Sequence, residues 1–178
     1  MAILFAAGNE GTDGNSDGEV DLDSMSSPGT SKNVITVGAT ENDRSSVTST
    51  WGGWWPGDYP TNPVKDDRHA DNIDGMAAFS SRGPTDDSRL KPDVSAPGAW
   101  ILSTKSRDTT SVGWGAYNTS YTYMGGTSMA TPLTAGATAL LIQHLDDNLG
   151  HSQPSSALVK AILAASSTDM AGQYSSST

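Results

Sequence analysis

The sequence predicts an α/β domain built on a mostly parallel sheet, with one buried central helix. Three observations predict it. Apolar runs of strand length, residues 3–7 and 34–39, lie between turn-rich connections. Leu133, Ala137, Leu140 and Leu141 recur at helical spacing in a segment that follows Gly125-Gly126. That segment is small and apolar on most sides, the pattern of a helix enclosed by other elements.

A chain of 178 residues can bury a real core, and we read it as one domain over 1–178. The net charge of −10 argues against nucleic acid and against an anionic membrane as partners. No apolar run approaches the ~18 residues of a membrane span. Cysteine is absent, which removes disulfides, thiolate metal sites and a cysteine nucleophile. The run at 3–7 is too short for a signal peptide and no basic residue precedes it. A buried parallel strand normally follows a crossover, so the expectation is a chain that enters partway through a fold.

Taken in order, the first strand ends at Gly8-Asn9-Glu10-Gly11. Asp13, Asn15 and Asp17 then alternate before Gly18, as in the opening of a calcium loop. Asp21 is a further candidate ligand, and Glu19 offers its carbonyl. Ser24 stands where an EF-hand needs glutamate, and no helix precedes the loop, so this is not an EF-hand. The pattern fits either a structural Ca2+ site or a solvated Asp/Gly loop. Ser27-Pro28-Gly29 is a turn, and 34–39 is the second strand. Residues 51–73 form a polar, Trp-rich insertion. Its Trp51, Trp54 and Trp55 suit either a sugar-binding platform or a loop packed on the body of the domain. The run Asp66-Asp67-Arg68-His69 reads as solvated charge.

A short strand at 76–79 precedes a turn at 80–84. The extended piece 91–98 contains Pro92 and Pro97, which place it at an edge or in a loop. Residues 100–103 form a strand, 105–118 a polar loop and 121–124 another strand. The helix that begins near Ser128 runs to about 145. A last helix opens with Pro154 in its first turn and runs to about 165, with Leu158, Ile162 and Ala165 on one face. Residues 167–178 form a flexible tail.

The chemistry centres on the junction of the glycine turn with the helix. There Ser128 projects its hydroxyl beside free N–H groups and the positive end of the helix dipole. This suits a nucleophile and equally suits an ordinary N-cap. Other motifs are absent: H-E-x-x-H, a Walker loop, and G-x-G-x-x-G after a strand. Ala130 stands where a hydrolase elbow needs glycine, and Thr131 where S-x-x-K needs lysine.

Four ordered blocks resemble the subtilisin-like serine proteases (subtilases, peptidase family S8). They are Phe5-Ala6-Ala7-Gly8-Asn9-Glu10-Gly11, then Ser27-Pro28-Gly29 with 33–39, then 79–84 with 91–98, then Gly126-Thr127-Ser128-Met129-Ala130-Thr131-Pro132. The resemblance implies the C-terminal half of a subtilase catalytic domain. It implies Ser128 as nucleophile, and Asn9 as oxyanion donor together with the Ser128 backbone N–H. Ala6, Ala7, Gly8, Ser26, Ser27 and Pro28 would line the specificity pocket, with a cis peptide before Pro28. A polypeptide substrate and a secreted protein follow from the same resemblance.

The family also needs Asp in D-[ST]-G and His in H-G-[TS], both ahead of the oxyanion asparagine. Here His69, His144 and His151 all follow Asn9, and none precedes Gly-Thr. The expectation is a fragment inactive alone. Its partner would be a complementary N-terminal half, or a second copy through self-association. A stand-alone binding or scaffold role through the Trp-rich or acidic loop is the alternative.

Overall fold

The computed structural model describes residues 1–170. The elements in order are β1 (Leu4–Ala6), β2 (Ile35–Thr40), α1 (Trp51–Trp54), β3 (Val94–Pro97), β4 (Ile101–Thr104), β5 (Gly115–Ala116), β6 (Tyr121–Met124), α2 (Thr127–Leu149) and α3 (Ser156–Ser166). The architecture is α/β. One sheet is parallel in the order β1-β2-β3, with Leu4 opposite Ile35 and Val37 opposite Val94. The proline-bearing β3 takes an edge, where a missing N–H breaks no ladder. The other sheet is antiparallel, β4-β6-β5, and α2 packs on the parallel one.

β2 is buried throughout. Alternation puts Ile35, Val37 and Ala39 on one face and Thr36, Gly38 and Thr40 on the other. The apolar set joins Ala130, Leu145 and Val159 in the core. On the polar face the Thr36 hydroxyl donates to the Gly29 carbonyl and accepts from Lys91 Nζ. Asp93 ties this face to α3. Its Oδ2 accepts from the Thr36 N–H and pairs with Lys91 Nζ at 2.7 Å, while Oδ1 meets Lys160 Nζ at 2.8 Å.

Several expectations need correction. Residues 76–79 form no strand. β1 pairs with β2 only as far as Val37, and beyond it Met76 makes a single antiparallel bridge at Thr40 before the chain turns at Ala77. The loop 105–118 contains β5. Pro154 lies outside α3, whose N-cap is Ser155; the Ser155 hydroxyl accepts from the Leu158 N–H. α2 runs a turn further than expected, to Gly150, whose φ of +71° closes the helix with bonds to Asp146 and Leu145 carbonyls.

α2 is also not enclosed all round. It packs on β1, β2 and β3 through Thr127, Ala130, Thr134 and Thr138. Leu133 and Leu140 on its other side are exposed, as are Phe5 in β1 and Ile3 just before it. Small apolar composition allows close packing on every side but does not say which sides are covered. The segment 66–69 is not solvated throughout, because His69 is wholly buried. The expectation of a flexible tail at 167–178 falls mostly outside the described residues.

Candidate active site

The end of β1 is held to the start of α2 by backbone geometry. Gly8 has φ of +112°, open to glycine but strained for other residues. Its N–H donates to Thr127 Oγ1 at 3.3 Å. Residues 79–81 lace the next turn. Phe79 O accepts from the Gly11 N–H, the Ser81 N–H donates to Gly8 O, and Ser81 Oγ accepts from the Glu10 N–H. The glycine turn is anchored from the other side, where the Gly126 N–H donates to Gly98 O. The four sequence blocks therefore meet at one place.

The N-cap of α2 is Gly126, with no side-chain cap. Ser128 sits inside the first turn, so it is not the cap. Its side chain is exposed and makes no hydrogen bond among the described residues. The Thr127 N–H is used: it donates to Asn9 Oδ1 at 2.9 Å, and Thr127 Oγ1 donates to the same oxygen at 3.1 Å. A backbone N–H can only donate, so the Asn9 atom it meets is the carbonyl oxygen. That leaves Nδ2 with two protons, close to the helix start: a Cβ at Gly126 would lie 3.7 Å from it. Pro132 removes the N–H that would meet the Ser128 carbonyl. The site can thus present a hydroxyl, an amide N–H pair and a first-turn backbone N–H at the positive end of a helix.

The six expected pocket residues lie together at the end of β1. Ala7 is buried and Ala6 half-buried, while Ser26, Ser27 and Pro28 are exposed. The turn packs on the strand: a Cβ at Gly29 would lie 3.0 Å from Ser26 O and 3.2 Å from Ala6 O. The Ser27–Pro28 peptide is cis.

No described histidine serves Ser128. His144 lies sixteen residues along the same helix, about 24 Å at ~1.5 Å per residue, and contacts Asn148. His151 follows the helix end and is exposed. His69 is sealed among rings, 4.2 Å from Trp51, 4.7 Å from Trp54 and 5.7 Å from Trp114 by centroid. Its Nδ1 accepts from Trp100 Nε1. Burial lowers its pKa to about 4, with the Thr50 backbone partly opposing, so it is neutral at pH 7.

Within the Trp-rich segment Trp51 is a core residue, Trp55 is half-buried and Trp54 is 39% exposed. All five tryptophans of the chain, Trp51, Trp54, Trp55, Trp100 and Trp114, contact one another around His69. Trp51 is fully buried, and its Nε1 donates to Glu41 Oε1 at 3.1 Å. Glu41, Asp67 and Asp71 bring carboxylate oxygens within 4.8 Å of one another. Burial, then the Asp67 charge, pushes the Glu41 pKa up to about 9. Burial, then Asp71, raises Asp67 to about 7.

The acidic loop spends its oxygens on its own backbone. The buried Asp13 carboxylate accepts from Asp17 and Gly18 N–H groups, Asn15 Oδ1 from Asp17, Asp17 Oδ1 from Glu19, and Asp21 Oδ2 from Gly14. No three of its carboxylates come within 4.8 Å of one another.

Four residues beside the site escaped sequence reasoning: Thr127, Phe79, Tyr59 and Trp114. Trp114 packs flush on Gly125. Its signal was the flanking Gly113 and Gly115, which read as loop. Trp55, Tyr59, Phe79 and Trp114 line part of an open pocket of about 250 Å³, together with Asn9, Asp58 and Gly126.

The model of the Subtilase family matches residues 1–178. "Serine protease AprX" of Bacillus subtilis (strain 168) is 34% identical over 155 residues, 83% of this chain and 27% of that protein. "Serine protease/ABC transporter B family protein tagB" of Dictyostelium discoideum is 39% identical over 117 residues, 58% of this chain and 6% of that protein. Among solved structures, the S41 Psychrophilic Protease aligns with a TM-score of 0.51 and 26% identity, over 92% of this chain and 38% of that one. Sphericase aligns at 0.53 and 24% identity, over 92% of this chain and 39% of that one, which bears on the fold alone. The chain spans less than half the length of each of these relatives.

Proposed function

This chain belongs to the subtilase family, and from that premise we propose that it supplies the nucleophile and oxyanion side of a serine endopeptidase. The observation that carries the reading is the Thr127 N–H donating to Asn9 Oδ1. It ties the Asn9 side chain to the residue before Ser128 and engages its oxygen, which supports a donor role for Nδ2. In the reaction, Ser128 Oγ adds to the scissile carbonyl, and the Asn9 amide and Ser128 N–H donate to the oxygen that becomes negative. The amine then leaves and water hydrolyses the acyl-serine. The Ser128 proton needs an acceptor. An aspartate and a histidine in D-[ST]-G and H-G-[TS] settings would supply it, from a complementary N-terminal segment packed on the open side of α2 and β1. Without that segment Ser128 is an ordinary alcohol and the chain has negligible activity.

The test joins this chain to such a segment and follows hydrolysis of denatured casein. Activity in the joined protein that is lost on Ser128→Ala is expected. A joined, folded protein that does not cleave overturns the reading. Two smaller proposals accompany it. Secretion is one, supported by family alone; among the described residues no helix is long and apolar enough to cross a membrane. A structural calcium ion at the 13–21 loop is the other, supported by sequence spacing. A melting temperature raised by calcium and restored by EDTA is the outcome expected of it.

A further inference from the structure

Of the eight asparagines in the chain, only Asn118 is followed two positions on by serine or threonine, in Asn118-Thr119-Ser120. That spacing is the acceptor pattern for an N-linked sugar, and it needs a surface loop around it. Residues 117–120 form the tip of the hairpin between β5 and β6, and all four are exposed. The Tyr117 and Asn118 N–H groups both donate to the Tyr121 carbonyl, at 3.1 and 3.2 Å, which closes the tip. The Asn118 side chain braces the same turn. Its Oδ1 accepts from the Ser120 N–H at 2.8 Å and from the Tyr121 N–H at 3.0 Å. A backbone N–H only donates, so the carbonyl oxygen is the atom engaged. Asn118 Nδ2 and the Ser120 hydroxyl make no hydrogen bond among the described residues. The atom that would carry the sugar and the hydroxyl that completes the pattern are both unspent.

A second observation falls on the same hairpin. Tyr117 is 60% exposed and Tyr121 44%. These rings present apolar surface to water, and the chemistry of Ser128 uses neither. A pyranose offers a C–H face that stacks on such a ring, so a sugar attached to the neighbouring residue would cover it. We propose that Asn118 is the acceptor of an N-linked oligosaccharide whose first sugar packs on Tyr117. In the transfer, Asn118 Nδ2 bonds to the anomeric carbon of a sugar carried on a lipid diphosphate. The bond from that carbon to the diphosphate oxygen breaks, the diphosphate leaves with the electron pair, and one Nδ2 proton passes to a base of the transferring enzyme. Nothing in this step depends on Ser128, so it stands apart from the peptidase reading.

The experiment incubates the folded chain with a purified oligosaccharyltransferase and a lipid-diphosphate oligosaccharide, with a free acceptor peptide as positive control. Intact mass spectrometry is expected to show the gain of one oligosaccharide, mapped to Asn118 after digestion. The gain should be kept in Ser120→Thr and lost in Asn118→Gln and Ser120→Ala. Ser120→Ala leaves the Asn118 turn in place, and melting curves of each variant separate loss of the acceptor pattern from loss of the fold. Nitration of Tyr117 by tetranitromethane, followed on the same samples, should be slower in the sugar-bearing protein than in the bare one. No added mass on the folded chain, or a gain that survives in folded Ser120→Ala, overturns the acceptor assignment. Unchanged nitration of Tyr117 overturns the packing of the sugar on that ring.

Discussion

Asn9 and Thr127 lie 118 residues apart and meet through a 2.9 Å hydrogen bond from the Thr127 N–H to Asn9 Oδ1. The bond holds the Asn9 oxygen at the start of α2; on the proposed reading the Asn9 nitrogen is the substrate donor.

Asn9→Asp separates these two roles. The carboxylate still accepts from Thr127, so the melting temperature should stay close to that of the parent. The donor is gone, so kcat of the joined protease should fall by about 10²–10³ with little change in KM, a magnitude known from subtilisin itself and not from this geometry. Steady-state kinetics of both proteins check it. A large loss of stability with normal kcat would reverse the assignment.

Trp51 carries the aromatic core. Trp51→Ala should destabilise by about 3–5 kcal/mol, through a cavity and a buried Glu41 left without its indole donor. Trp51→Phe keeps a six-membered ring but loses the donor and part of the indole volume, so a smaller loss of about 1–3 kcal/mol is expected. Urea melts of the two variants distinguish packing from hydrogen bonding.

Asp93 joins two lysines to the Thr36 N–H. Asp93→Ala leaves the buried Lys91 ammonium uncompensated and should cost about 3–5 kcal/mol. Asp93→Asn keeps an acceptor but not the charge, and should still unfold earlier than the parent in the same melts.

Two buried groups give stability opposite pH slopes. His69 has a native pKa near 4, below the ordinary 6.5, so the unfolded chain takes up the proton first. Its contribution is complete above about pH 6.5 and drains as pH falls towards 4. Glu41 is raised from 4.5 to about 9. The folded chain holds that proton where the unfolded one has lost it, so this contribution is complete below about pH 4.5 and drains as pH rises towards 9. Asp67, raised to about 7, acts in the same direction. Stability should therefore peak on the acid side of neutrality. Glu41→Gln keeps an acceptor for Trp51, and should flatten the alkaline fall without changing the acid one. Urea midpoints measured across the pH range read both slopes.

What the sequence revealed was local. The strand at 121–124, the glycine turn and the helix after it are consecutive, so pattern and spacing suffice. Asn9 and Ser128 were legible because each sits in a distinctive block. The hydrogen bond between Asn9 and the residue before Ser128 was not legible, since no periodicity encodes a contact over 118 residues. Nor was the ring cluster. Trp51, Trp54 and Trp55 looked like a surface loop because Gly and Pro surround them. Trp100 and Trp114, which close the cluster, arrive from beyond β3. His69 follows Asp66, Asp67 and Arg68 and reads as charge, yet the fold turns its ring inward among the indoles. Leu133 and Leu140 show the opposite failure: apolar spacing identified the helix but not which of its faces is covered.

The central claim is that Ser128 has its oxyanion donors here and takes its base from elsewhere. A fluorophosphonate probe tests it most directly, with labelling of Ser128 followed by mass spectrometry in the isolated chain and in the chain joined to a segment bearing D-[ST]-G and H-G-[TS]. The account predicts that the isolated chain labels no faster than its Ser128→Ala variant, whereas the joined protein labels rapidly at Ser128. Rapid labelling of Ser128 in the isolated chain would contradict it.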